Sequence, residues 1–123
     1  MVVLDTNAVL RFILQDIEEM ADQVEEQIKS NPCLVPMEVV AEVVYVLNKT
    51  YQIPRNSIQE AVLVFLSNDG VYAAQYSIVV KALEVFASTK FDFVDCAMAG
   101  YLLHGHDIFT FDKKLKRYLH GLG

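Results

Sequence analysis

Met1-Val2-Val3-Leu4-Asp5-Thr6-Asn7 opens the chain, and its reading decides the fold. Val2-Val3-Leu4 is a short apolar run rich in β-branching, the pattern of a strand buried on both faces in a parallel sheet. Asp5 and Asn7 end it with turn-forming side chains, and Ala8 to Leu14 takes up helical spacing. Strand, turn and helix in that order begin an open α/β sheet, in which ligands bind beyond the carboxyl ends of the strands. An acid fixed there by rigid backbone can ligate a metal ion, or it can simply cap the following helix. The choice depends on what else reaches the same edge.

Downstream, the pattern repeats. Asp16 to Ile28 is an amphipathic helix whose solvent face is acidic (Glu18, Glu19, Asp22, Glu25, Glu26), closed by Ser30-Asn31-Pro32. Cys33-Leu34-Val35 reads as a second strand, and Pro36 as the first position of a helix that runs to Lys49. Inside that valine-rich helix stands Glu42, an anion that cannot be buried alone and needs a cation, a hydrogen-bond network or a proton. Ser57 to Leu66 is a further helix, Val71 to Ala74 a third strand, and Ser77 to Ser88 another helix. In Phe91 to Gly100, Asp92 fits a helix N-cap and Asp95 its capping-box partner, while Ala97, Ala99 and Gly100 allow close approach to the sheet, with Gly105 ending the helix. His106 to Phe111 reads as a last strand with Asp112 just past its end, as Asp5 is past the first. Asp112 can also cap the helix beginning at Lys113.

With 123 residues and no linker, repeat or low-complexity stretch, residues 1–123 form one α/β domain. The hydrophobic share is 54 %, but charges interrupt every apolar run before it reaches the roughly 20 residues of a membrane span. Met1 to Leu4 is too short for a signal peptide. Cys33 and Cys96 lack metal-ligand spacing and read as reduced core thiols of a cytoplasmic protein. The net charge of −6 argues against a protein that merely coats nucleic acid, though not against an enzyme whose acids hold divalent cations. The apolar excess suggests a subunit interface. His104, His106 and His120 show no ligand or triad spacing, and Tyr45, Tyr51, Phe65 and Tyr72 read as core or dimer-contact aromatics. Lys113, Lys114, Lys116 and Arg117 form the one basic cluster, either a solvated helix face or a contact to phosphates.

Right-handed crossovers make the strands parallel and set the helix starts at the strands' carboxyl edge. Asp5 and Asp112 lie at that edge, Asp95 in the first turn of a helix that starts there, and Glu42 roughly 9 Å down its own helix. Four carboxylates from distant segments can therefore face one pocket. Their repulsion is relieved by a hard divalent cation, Mg²⁺ or Mn²⁺, that takes oxygen ligands. Such an ion activates water and positions a phosphodiester. Thr110 and Asn7 can orient the acids or the water.

These residues resemble the PIN-domain ribonucleases, most closely the VapC-type toxins of prokaryotic toxin–antitoxin pairs. The resemblance rests on Val3-Leu4-Asp5-Thr6-Asn7, Ala41-Glu42-Val43-Val44-Tyr45-Val46-Leu47, Phe93-Val94-Asp95-Cys96-Ala97-Met98-Ala99 and Thr110-Phe111-Asp112, in order along nearly the whole chain. It implies a three-layer α/β/α sandwich around a central parallel sheet of four or five short strands. It also implies that Asp5, Glu42, Asp95 and Asp112 are the metal-binding, catalytic quartet, supported by Thr6, Asn7 and Thr110. RNA cleavage with Mg²⁺ or Mn²⁺, a homodimer and a small cognate antitoxin partner follow from the same likeness. Many members carry a further strand after the last helix, where this chain has Gly121-Leu122-Gly123, so a shorter sheet edge is expected. Two other classes compete: a non-catalytic PIN-like scaffold that binds an antitoxin, and a receiver-type phospho-acceptor. The receiver would need an acidic pair after the first strand and a lysine between Asp107 and Phe111, and the chain has neither.

Overall fold

A computed structural model describes residues 1–122; Gly123, the last residue of the expected domain, lies outside the described residues. Three strands, β1 (Val2–Val3), β2 (Cys33–Val35) and β3 (Val71–Ala73), form one parallel sheet in the order β1-β2-β3. Val2 pairs with Cys33, and Leu34 with Tyr72. Helices α1 (Thr6–Leu14) and α2 (Glu18–Ser30) carry the chain from β1 to β2. Helices α3 (Met37–Lys49) and α4 (Arg55–Leu66) carry it from β2 to β3. Helices α5 (Tyr76–Ser88), α6 (Phe93–Leu103) and α7 (Lys113–Leu122) follow. The parallel sheet and every expected helix are present.

Local chemistry accounts for these elements. Asp5 caps α1, its Oδ1 accepting from the Ala8 amide at 2.9 Å. The valine-rich run resolves as helix because burial follows helical spacing: Val40, Val43, Val44 and Leu47 face the core. Pro36 precedes the first turn of α3 by one position. At the entry to β3, Gly70 takes φ +87°, where a Cβ would stand 3.0 Å from the Ile28 carbonyl, and its own carbonyl accepts from Cys33 N at 2.7 Å. The core is densest around α5, which buries Ile78, Val79, Ala82, Leu83, Val85 and Phe86. Gly100 of α6 meets α5, not the sheet, because a Cβ there would lie 3.0 Å from the Ile78 Cγ2 and carbonyl.

Two expectations are corrected. The sheet has three strands among the described residues, not four or five, and His106 to Phe111 forms none. That segment keeps a period of two, with Ile108 and Thr110 half-buried and Phe109 and Phe111 exposed, but its amides form no ladder with β1. A strand requires a partner edge as well as alternation. Consequently β1 is an edge strand and is not buried on both faces; Val3 is 60 % exposed and only the following Leu4 is buried. Of the four aromatics assigned to core or interface, Phe65 is in the core, whereas Tyr45, Tyr51 and Tyr72 are exposed.

Candidate functional site

Glu42 escapes the burial problem that its apolar neighbours suggested. It is exposed on α3, one turn after Glu38 and one before Tyr45, on the face opposite the buried valines. The Thr6 hydroxyl donates to Glu42 Oε2 at 3.4 Å, which ties α3 to the start of α1 one residue beyond Asp5. Asp5 itself is exposed at the end of β1. Asn7 and Asp5 line a depression of about 560 Å³ with Arg11.

Asp95 and Asp112 form the second half of the arrangement. Asp95 is half-buried in the first turn of α6. Burial raises its pKa above the ordinary value, and the carboxylates of Asp112 and Asp92 raise it further. Asp92 occupies the N-cap position of α6 without a side-chain capping bond, so the expected capping box is not made. Asp112 caps α7, its Oδ1 accepting from Leu115 N at 2.9 Å, while its amide donates to Thr110 Oγ1 at 3.1 Å. Thr110 thus holds the backbone of an acid, and Thr6 holds the side chain of another.

Electrostatically the four acids stand uncompensated. The ion pairs among the described residues are Arg11–Asp16, Lys29–Glu25 and Lys81–Glu84, and none involves Asp5, Glu42, Asp95 or Asp112. Asp5, Glu42 and Asp95 line different depressions. Glu42 lines a groove of about 620 Å³ between α3 and α6, with Tyr45, Val94 and Met98 among its walls. Asp95 and Asp92 line a smaller one of about 240 Å³ beside Lys49. Among the described residues, no three of the His, Cys, Asp and Glu side chains stand close enough to hold a metal ion as they are. What the structure relates is pairwise: Thr6, the neighbour of Asp5, is hydrogen-bonded to Glu42, and the Asp112 charge helps to raise the pKa of Asp95. Lys113, Lys114, Lys116 and Arg117 are all exposed on α7 immediately after Asp112.

Sequence reasoning passed over Arg55. Its guanidinium donates to the carbonyls of Phe86, Thr89 and Phe91 from Nη1 (3.1, 3.0 and 2.7 Å) and to that of Lys90 from Nη2 (3.1 Å). Its Cζ lies 4.1 Å from the Phe86 ring centroid. One side chain therefore fixes the turn from α5 into α6, directly before Asp92 and Asp95. A signal was present: a cation in the first turn of a helix opposes the dipole, and so must answer to something else.

Cys33 and Cys96 are both buried and free, and burial pushes the Cys96 thiol up to about 11. No helix among the described residues is long and apolar enough to cross a membrane. The PIN domain family model matches residues 2–120. The comparisons with curated proteins and with solved structures gave no match.

Proposed function

The chain belongs to the PIN domain family, whose members are typically nucleases, and from that premise we propose that it is a divalent-metal-dependent endoribonuclease, the toxin of a toxin–antitoxin pair. The observation that carries this reading is the unneutralised pair Asp95 and Asp112 at two helix starts. A second linkage ties Glu42 to Thr6, the residue that follows Asp5. Capping accounts for one oxygen each of Asp5 and Asp112, but no ion pair among the described residues offsets the charge of Asp112 against Asp95, which a metal ion would do.

The donor set fits a hard cation. Asp5, Glu42, Asp95 and Asp112 offer carboxylate oxygens alone, the chemistry of Mg²⁺ or Mn²⁺. These four residues are the proposed ligands. When bound, such an ion lowers the barrier to attack of water on phosphorus and neutralises the leaving oxygen. Thr6 and Thr110 hold Glu42 and Asp112 in place, and Asn7 completes the polar edge at α1. Lys113, Lys114, Lys116 and Arg117 neutralise RNA phosphates, contacts that position the strand without reading its sequence. The working form is a cytoplasmic homodimer with α/β/α layering, held inactive by a cognate antitoxin.

A competing reading, a PIN-like scaffold that keeps its acids without cleaving, is favoured by one observation: no three of the acids are gathered as they stand. Incubating a mixed RNA pool with purified protein and Mg²⁺, Mn²⁺ or chelator, then mapping product ends, separates the two. The nuclease yields fragments with 5′-phosphate and 3′-hydroxyl ends only when metal is present. Intact RNA with either ion, or cleavage undiminished in chelator, overturns the metal-dependent assignment.

A further inference from the structure

Phe109 and Phe111 are each 87 % exposed, while the next most exposed large apolar side chain, Met1, reaches 72 %. The two rings meet edge to face, with centroids 5.3 Å apart and planes at 86°. They alternate with the half-buried Ile108 and Thr110, so the backbone holds both on the solvent side of one segment. Two features fix what this pair faces. Thr110 separates the two in the chain and Asp112 directly follows them, so the aromatic pair adjoins in sequence the acid that caps α7. The helix that begins next, α7, has exposed Lys113, Lys114, Lys116 and Arg117, contains no acid, and makes no ion pair among the described residues. In a chain of net charge −6, that is a local basic strip waiting for a polyanion.

We infer that Phe109 and Phe111 are a stacking platform for unpaired bases of the RNA strand, with the basic strip of α7 tracking the adjoining phosphates, so that this aromatic pair positions the strand on its way to Asp112. The inference rests on the nuclease reading for what happens to the strand, but the binding it describes does not need cleavage. An aromatic face beside a cationic track is the combination by which proteins hold single strands with little sequence preference. Bases inside a duplex are stacked on each other and cannot reach such rings. A protein partner could also cover two phenyl groups, but it gives no reason for the cations to follow them.

The test measures equilibrium binding of a labelled single-stranded RNA of roughly a dozen nucleotides, and of its duplex, by fluorescence anisotropy in chelator, where metal-dependent cleavage is silent. Wild type is expected to prefer the single strand. Phe109→Leu and Phe111→Leu, which keep apolar bulk and remove the π-face, are each expected to weaken it about ten-fold, and the Tyr variants to retain it. Lys113→Ala with Lys114→Ala should reduce the salt dependence while leaving the preference for unpaired bases. Both rings are solvent-exposed, so the variants are expected to fold, with circular dichroism as the check. Unchanged single-strand affinity in the double Leu variant overturns the platform even where RNA is cleaved normally. Loss of self-association in that variant, with RNA affinity intact, overturns it in favour of a protein interface. Binding that collapses in the Leu variants of a protein that cleaves nothing supports the platform and overturns only the nuclease reading.

Discussion

The Asp112 carboxylate acts on Asp95 from the start of another helix: after burial, it is the leading cause that holds the Asp95 carboxyl above its ordinary value. A folded-state pKa raised above the unfolded one gives stability that is complete below the unfolded value and is lost as pH rises through the folded one. Near neutrality, then, the metal-free protein carries a penalty at this pair. Asp112→Asn keeps an N-cap acceptor for Leu115 while removing the charge. It is expected to raise the metal-free melting temperature at neutral pH, by about 2 °C or more, with the gain vanishing below about pH 4. Asp112→Ala should lose about 0.5–2 kcal/mol instead, because the cap goes with the charge. Melting curves across pH in chelator decide the matter, and a destabilised Asn variant at neutral pH would contradict the repulsion.

Asp5 offers the corresponding test of chemistry. Its Oδ1 caps α1 through Ala8, a bond that asparagine can also make. Asp5→Asn and Asp95→Asn are therefore expected to stay folded and to lose RNA cleavage at least about a hundred-fold, the scale of losing a group needed in the transition state. Mg²⁺ should raise the melting temperature of wild type more than that of either variant, since a ligand stabilises only the state that binds it. Equal metal stabilisation in all three proteins, with cleavage intact, removes these carboxylates from the site.

Much of the fold was legible because it is written in local rules. Asp5 ends a strand and caps a helix, and the valines of α3 bury every third or fourth position although their β-branching suits a strand. His106 to Phe111 was misread because its alternation is genuine but a ladder depends on a neighbouring edge elsewhere in the chain. Glu42 was placed among apolar residues by counting along the chain, whereas rotation about the helix axis puts it in solvent. The couplings within the candidate site join residues far apart in sequence, Thr6 with Glu42 and Asp95 with Asp112. The residue types announced acids near an edge, but the pairing required the packing of α1, α3, α6 and α7.

Arg55 gives a prediction about positioning. Arg55→Lys cannot serve four carbonyls with a single ammonium or lie flat on Phe86, so it is not a conservative change. A loss of about 2–3 kcal/mol in urea unfolding is expected, the scale of stranding part-buried acceptors. Because the turn it holds leads into Asp92 and Asp95, kcat for RNA cleavage should fall at temperatures where the variant is fully folded, with KM nearly unchanged. A variant destabilised to this extent but with wild-type kcat would make Arg55 a stabilising residue only.

Gly100→Ala tests the seam between α5 and α6. In an exposed helix the change would stabilise by about 0.5–1 kcal/mol, since glycine is the weaker helix former. Here the added methyl would meet the Ile78 Cγ2 and, less forgivingly, the Ile78 carbonyl oxygen, both at 3.0 Å. The side chain can rotate, but the carbonyl belongs to the backbone of α5 and moves only with the helix. Overpacking of this kind costs about 1–3 kcal/mol, enough to outweigh the propensity gain and give a net loss. Displacing α6 also displaces Asp95 in its first turn, so the variant should cleave RNA more slowly at a given metal concentration. Urea unfolding measures the first effect and a Mg²⁺ titration of cleavage the second. A more stable Gly100→Ala protein would mean that α5 and α6 are not held at this separation.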